Sequence, residues 1–324
     1  MNKTILVVGG AGYIGSSCVE ELINEGYAVV VLDNLSTGQI EKVHKDAKIV
    51  HGDILDIQFL EQVFIEDGFD TVIHFAAKKA VGESEEHPEL YFQNNVVGTL
   101  NILTMMSKHK VPKIIFSSTA AVYKPKEEND AIYTEECEVN PINVYGRTKY
   151  ICELMIQDFQ RIGKIKQFVI FRYFNVAGDT GLTYLEKNAQ NVFPLLTRSI
   201  LDGSEFKIFG DTYGTKDGSG VRDYIHITDL VKAHVRGVES TANGIYNLGT
   251  KNGFSVKELI SAFEKHTGKT MNVSIVEKRK GDPAIVIADS SKAYTDLHWT
   301  AEKNLDDMVV STLKAYGYNP DALV

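Results

Sequence analysis

The stretch KTILVVGGAGYIG, residues 3–15, decides the fold. An apolar, β-branched run from Ile5 to Val8 ends in closely spaced glycines, and helix-period residues from Ser16 to Glu25 follow at once. Glycines let a backbone turn tightly and let a pyrophosphate approach the free amides of a helix N-terminus. The spacing fits G-x-G-x-x-G read from Gly10 and G-x-x-G-x-x-G read from Gly9, and the string alone is a weak signal. Its context strengthens it. The next strand candidate, Val29 to Leu32, runs into Asp33, 18 residues beyond Gly15. A carboxylate there accepts hydrogen bonds from an adenosine ribose and repels a 2′-phosphate, so the expected cofactor is NAD rather than NADP. The competing reading is an ordinary turn with a strand-end polar residue.

Working outward, similar apolar runs recur at Ile49 to His51, Val72 to Phe75, Ile114 to Phe116 and Phe168 to Phe171. Helix candidates lie between them, including Ile57 to Glu66, Tyr91 to Lys108 and Val144 to Ile162. Runs that are apolar on both faces suit strands of a buried parallel sheet, and their alternation with helices predicts a doubly wound α/β domain. After Asn175 the rhythm changes and Gly and Asp become dense from Gly203 to Asp223. A second, smaller unit is therefore expected, with Arg222 to Ile227 returning to the first sheet as a strand. The expected division is 1–174 plus about 222–248 for the nucleotide unit, and about 175–221 plus 249–324 for the substrate unit.

With 324 residues the chain is long enough for about two domains without disulfides or metals. Its formal charge of −9, from 34 Lys+Arg against 43 Asp+Glu, argues against a sequence-independent nucleic-acid binder. Cys18, Cys137 and Cys152 are too scattered for a disulfide framework or a metal site, which points to a reducing cytoplasm. No run approaches 18 apolar residues, and the start lacks a signal-peptide pattern, so neither a membrane span nor export is expected.

Tyr145-Gly-Arg-Thr-Lys149 places a phenol and an ammonium on one face of a helix. A phenol titrates near 10, too high for a base at neutrality, and a neighbouring cation would lower it. The pair lies one strand and one loop beyond Ser117-Ser118-Thr119, which closes the strand at Ile114 to Phe116. In a doubly wound sheet, ligands bind at the carboxyl ends of the strands, so hydroxyls, phenol and ammonium are expected in one crevice.

Longer motifs add to this reading: GGAGYIGS at 9–16, DNLSTG at 33–38, GD at 52–53, HFAAKKAVGES at 74–84, NNVVGT at 94–99, FSSTAAVY at 116–123, YGRTK at 145–149, RYFNVAG at 172–178 and DGSGVRDYIH at 217–226. Over most of its length the chain resembles the extended short-chain dehydrogenase/reductase family, and within it the UDP-glucose 4-epimerases. The resemblance implies a Rossmann-type doubly wound parallel sheet with a smaller α/β substrate-binding domain, a tightly held NAD, no metal and a homodimer formed through the helices near 91–108 and 144–162. It puts Tyr145, Lys149 and Thr119 in the catalytic roles. It assigns NAD contacts to Gly9, Gly12, Tyr13, Ile14 and Gly15, then to Asp33, Asn34, Ser36 and Gly38, and near the adenine to Asp53 and Ile54. Phe75, Ala76, Ala77 and Lys79 fall near nicotinamide and phosphate, supported by Asn94, Tyr173, Tyr145 and Lys149.

On the substrate side, the resemblance implies Asn175, Asn191, Arg222 and Arg279 at a UDP diphosphate, backbone from Lys207 to Phe209 around uracil, and Asp282 on the uridine ribose. Lys79, Thr119 and Tyr145 complete that set. An arginine fork suits paired hydrogen bonds to phosphate oxygens. The implied chemistry is 4-epimerisation of UDP-hexoses through a 4-keto sugar, with Tyr145 taking the 4-hydroxyl proton. Valine at 286, where bulk limits such enzymes to glucose and galactose, extends the expectation to N-acetyl sugars. The rival readings are a UDP-glucuronate 4-epimerase, another nucleotide-sugar-modifying relative and a non-catalytic NAD sensor. Ala120 and Ala121 stand where dehydratases carry an acid, which argues against 4,6-dehydration.

Overall fold

The computed structural model describes residues 3–126, 131–186, 191–279 and 282–320. In chain order the strands are β1 (Thr4–Val8), β2 (Ala28–Asp33), β3 (Lys48–His51), β4 (Thr71–His74), β5 (Lys113–Thr119), β6 (Ile132–Tyr133), β7 (Gln167–Tyr173) and β8 (Asn175–Ala177). They continue as β9 (Phe206–Phe209), β10 (Val221–His226), β11 (Gly244–Leu248), β12 (Gly253–Ser255), β13 (Val273–Val276) and β14 (Ile285–Ala288). The helices are α1 (Tyr13–Asn24), α2 (Ile57–Asp67), α3 (Val81–Glu86), α4 (Pro88–Tyr91), α5 (Gly98–His109) and α6 (Val144–Arg161). Beyond these come α7 (Val192–Asp202), α8 (Ile227–Glu239), α9 (Val256–Thr267), α10 (Ser291–Leu297) and α11 (Leu305–Ala315).

Seven parallel strands form one sheet in the order β3-β2-β1-β4-β5-β7-β11. Side chains alternate across it, which explains why the central runs are apolar throughout. Ile5 and Val7 of β1 join the core with Cys18, Leu22, Leu230 and Val231 of α1 and α8. Leu6 and Val8 face the other way, among Leu60, Leu103, Met106 and Ile156 of α2, α5 and α6. The doubly wound fold expected from the sequence is what forms. β3 is an exception to the two-sided burial, because it is the sheet edge and leaves Ile49 38% exposed.

A second layer holds β12-β10-β14-β6, with β8 beside β10, and the separate pair β13-β9. Phe193, Leu196, Ile208, Tyr224, Phe263 and Met308 fill the core beneath α7, α9 and α11. Here one expectation is corrected. The run at 222–227 does form a strand, but β10 pairs with β8, β12 and β14 rather than entering the large sheet. The return comes one crossover later, through α8 into β11, which pairs with β7. The single helix expected over 91–108 is also interrupted: Phe92–Val97 is a π-turn between α4 and α5. Among the described residues no helix is long and apolar enough to cross a membrane, and no group of three His, Cys, Asp or Glu is placed to hold a metal ion.

Candidate active site

The glycine loop caps β1 at the carboxyl end of the sheet. Gly9 has φ of 83°, and a Cβ there would lie 2.6 Å from the Ala76 nitrogen. A Cβ on Gly15 would lie 2.1 Å from the Gly9 carbonyl oxygen, whereas one on Gly12 meets nothing closer than 3.4 Å. A Cβ on Gly10 would meet the Val31 side chain at 2.8 Å, so both spacings are sterically used, with Gly9 and Gly15 the positions where backbone itself stands in the way. Gly12 is the N-cap of α1 and no side chain caps that end. The helix opens directly on Tyr13 and Ile14, so its first-turn amides suit the pyrophosphate of a dinucleotide.

Asp33 accepts from the amide of Ala11 at 3.0 Å and from that of Leu35 at 2.8 Å, one bond to each oxygen. It shapes the loop as well as facing it, and each carboxylate oxygen keeps a lone pair for ribose hydroxyls. Asn34 donates to Asp53 at 2.9 Å, and the Asn34 side-chain oxygen accepts from the Ser36 amide at 3.1 Å. Gly38 packs against Ala11, and Ile54 is buried in the apolar core. The amides of Phe75 and Ala76 donate to the Val8 carbonyl, folding the end of β4, and with it the segment leading to Ala77, over the glycines. Asn94 lies on the π-turn and donates to Asn95 at 2.9 Å. Buried Asn95, which sequence reasoning missed, bonds both backbone groups of Lys78 and the Thr148 hydroxyl.

Thr119 ends β5 directly opposite Tyr173 on β7. α6 starts beside them, capped by the Asn143 side chain accepting from the Gly146 amide at 2.7 Å. Lys149 is buried, donates to the Ser117 carbonyl at 2.7 Å and sits over the Phe116 ring at 4.7 Å. The hydroxyls of Ser117 and Tyr173 bond each other. The electrostatics differ from expectation. Burial pushes the Tyr145 phenol up to about 12, with hydrogen bonding to Thr119 pulling the other way. Burial also pushes the Lys149 ammonium down to about 8. The helical spacing puts both on one face, and the Lys149 ammonium donates to the Ser117 carbonyl beside them.

The substrate-side residues gather from three segments. Arg222 on β10 pairs with Asp282 at 2.5 Å, and the Tyr213 hydroxyl donates to the same carboxylate at 3.3 Å. The Arg279 guanidinium lies over the Phe209 ring at 4.0 Å. Lys207 and Phe209 share the exposed face of β9, and Val286 stands opposite Arg222 in the β10–β14 register. Asn175 donates to the Asp223 carbonyl at 3.2 Å, and Asn191 is exposed at the start of α7.

Residues 178–186 form a strap across the glycine loop, a feature the sequence did not announce. The Tyr184 hydroxyl donates to the Ala11 carbonyl at 3.1 Å, and Lys42 donates to the Leu182 carbonyl at 2.8 Å. Gln39 reaches the Leu185 carbonyl at 2.8 Å, Ser17 meets Thr180 at 3.0 Å, and the Tyr13 hydroxyl donates to the Gly178 carbonyl. Lys79, expected at the cofactor, is ion-paired with Glu186 at the end of this strap.

With this geometry in view, similarity to known proteins is specific. The model of the NAD dependent epimerase/dehydratase family matches residues 5–249. A UDP-glucose 4-epimerase of Haemophilus influenzae is 41% identical over 333 residues, 98% of each chain. A UDP-glucose 4-epimerase from Brucella ovis, solved in complex with NAD, matches with a TM-score of 0.91 and 37% identity over 97% of this chain and 98% of that one. The enzyme from Bifidobacterium longum in complex with NAD+ and UDP gives 0.89 and 39% over 98% and 99%. Sheet order, glycine frame and near full-length similarity agree, and the chain belongs to the NAD dependent epimerase/dehydratase family, in the group of the UDP-glucose 4-epimerases.

Proposed function

We propose that the protein interconverts UDP-galactose and UDP-glucose by inverting C4, with NAD as its resident cofactor. The observation that carries this is the meeting of Tyr145, in the first turn of α6, with Thr119 at the end of β5, whose hydroxyl counters the burial that raises the phenol, followed by Ala120 and Ala121 in a tight 3-10 turn. Two hydroxyls can move one proton at one substrate oxygen; alanines offer no acid for the elimination that dehydration requires.

The residues present fit NAD: an uncapped helix end behind glycines that tolerate no Cβ, and a carboxylate at Asp33 with lone pairs to spare. Bound there, it supplies a hydride acceptor and a positive charge near the phenol. Tyr145 takes the proton of the 4-hydroxyl as the C4–H bond breaks, and Thr119 relays it. The 4-keto sugar then turns its other face, and C4 regains the hydride on that face as O4 takes the proton back from the same phenol. For this the nucleotide must be held firmly and the sugar loosely. On binding, Arg222 and Asp282 exchange their mutual contact for the diphosphate and the uridine ribose, while Arg279 and the Lys207–Phe209 edge close over the nucleotide. Asn175, Asn191 and Lys79 extend this contact set.

In the same reading, 1–174 with α8 and β11 is the nucleotide unit and 175–221 with 249–324 the substrate unit, to which β10 moves from the expected 222–248 by its pairing with β8, β12 and β14. The protein pairs as a homodimer through α5 and α6, supported by the exposed Phe92, Val97, Leu100 and Leu154 along that side. Three free cysteines suit a reducing cytoplasm.

The test is to incubate purified protein, with no NAD added, with UDP-galactose, UDP-N-acetylgalactosamine and UDP-glucuronate, and to resolve the 4-epimers by chromatography. Conversion of UDP-galactose is expected, with slower conversion of the N-acetyl sugar if Val286 leaves room. Conversion of UDP-glucuronate alone would replace this reading by a uronate epimerase, and no conversion even with NAD would overturn it.

A further inference from the structure

Behind the acid–base group lies an ion pair sealed from water. Arg172 and Glu153 have side chains 3% and 0% exposed, and Arg172 grips both carboxylate oxygens, at 2.9 Å and 2.5 Å. The Ser118 hydroxyl also donates to Glu153. The guanidinium lies over the Tyr123 ring at 4.8 Å and leaves its Nη1 buried without a partner. Such a pair is a poor stability device, because desolvating two ions cancels most of their attraction and an apolar pair of similar volume often serves as well. The elements it joins are those that carry the proposed chemistry. Glu153 lies four residues beyond Lys149 on α6, one turn along the same face. Ser118 precedes Thr119, and Arg172 precedes Tyr173, whose hydroxyl bonds Ser117.

We propose that Glu153 is a positioning residue for the acid–base group: held by Arg172 and Ser118, it sets α6 against the ends of β5 and β7 and keeps a negative charge facing Lys149. This rests on the reading of Tyr145 and Lys149 given above. The titratable and charged groups around Lys149 are Tyr145, Cys152 and Glu153 on its own helix and His74 from β4; β5 presents the Ser117 carbonyl and the Phe116 ring, and from β7 Arg172 pairs with Glu153. Burial pushes the His74 imidazole down to about 3 and the Cys152 thiol up to about 11, so both are neutral near pH 7. Glu153 is the carboxylate among these groups, and its charge opposes the burial that lowers Lys149. In Glu153→Gln that negative charge is lost while Arg172 keeps its own charge beside the substituted amide.

The experiment uses NAD-loaded protein, with wild type and Tyr145→Phe as controls, and compares Glu153→Gln, Glu153→Asp and the double variant Glu153→Met/Arg172→Met. Thermal melts, UDP titration and kcat against pH are the readouts. Glu153→Gln is expected to keep UDP affinity within about twofold, lose about tenfold in kcat and bring the alkaline limb down by about one pH unit. Glu153→Asp restores the limb. The double variant, with both charges gone, melts no lower than wild type and keeps the limb near its place, yet stays about tenfold slow. Wild-type kcat and pH profile in a folded Glu153→Gln overturn the proposal. Should that variant not fold, a folded double variant decides by its kcat, and failure of both to fold reduces the pair to a folding element and also overturns it. Absent wild-type turnover, or turnover surviving in Tyr145→Phe, would instead sink the underlying reading.

Discussion

The two sides of the cleft are built in different ways. On the cofactor side, backbone makes the site: Gly9 and Gly15 lie too close to their neighbours for any Cβ, and Asp33 is held by the amides of Ala11 and Leu35. On the substrate side, side chains from distant segments hold one another, Arg222 on Asp282 and Arg279 on Phe209. Backbone cannot relax without disturbing the sheet, whereas partly exposed side-chain pairs re-form around a ligand at small cost. A site that must keep its cofactor and release its product gains from that division.

The largest effect is expected where the two sides meet. Tyr145→Phe should lower kcat by about a thousandfold while the melt and the bound NAD stay as in wild type. If turnover survives, the joint between the halves lies elsewhere. Next, Arg222→Met should raise KM for UDP-galactose about 10–100-fold with kcat nearly unchanged, the signature of lost uniform binding. A fall in kcat instead would mean that the pair is as rigid as the glycine loop. Gly15→Ala should destabilise the fold by about 1–3 kcal/mol and strip NAD during purification, because the added methyl meets the Gly9 carbonyl oxygen. An unaffected melt with NAD retained would show that this loop yields after all.

The smallest effect concerns acid. Burial lowers His74 to about 3 and both His226 and His234 to about 4. Unfolded, these imidazoles take up protons below about 6.5, while the folded protein does not until near 4 or 3. The stability they contribute is thus full above pH 6.5 and falls as pH drops towards 4, by about 1.4 kcal/mol per pH unit for each proton taken up. His234→Phe, among the rings of Phe75, Phe171 and Tyr173, should make urea-derived stability less steep between pH 6 and 4.5 by close to one proton. An unchanged slope would remove His234 from the account.

Much of the large sheet was legible because its central strands are buried on both faces and so read as apolar runs. β10 was assigned to the wrong sheet because a short strand pattern, here Tyr224 and Ile225 among Arg222, Asp223 and His226, does not say which strands it pairs with. β11 had no such run, because Asn247 interrupts it, and that polar side chain is used internally, donating to the Tyr133 carbonyl and accepting from Tyr123. The glycine loop, Tyr145 and Lys149 lie in short contiguous motifs. Glu153 stood in plain view four residues after Lys149, and Arg172 in the RYFN run, but only the fold brings a helix and two strand ends together. The direction of the Tyr145 shift was missed because spacing along a helix does not report burial or where a lysine's long stem ends.

The strap at 178–186 has a consequence for the birth of the molecule. Its bonds to the glycine loop and to Lys42 span 140 to 173 residues of chain, from Leu182 to Lys42 and from Tyr184 to Ala11. On a ribosome the glycine loop emerges long before the strap exists and before β11 can complete the sheet. Contacts of such separation form slowly. The earliest part of the site to be synthesised is therefore closed late, and a nascent chain keeps its dinucleotide crevice open to the surrounding solution while the 173 residues from Ala11 to Tyr184 are made.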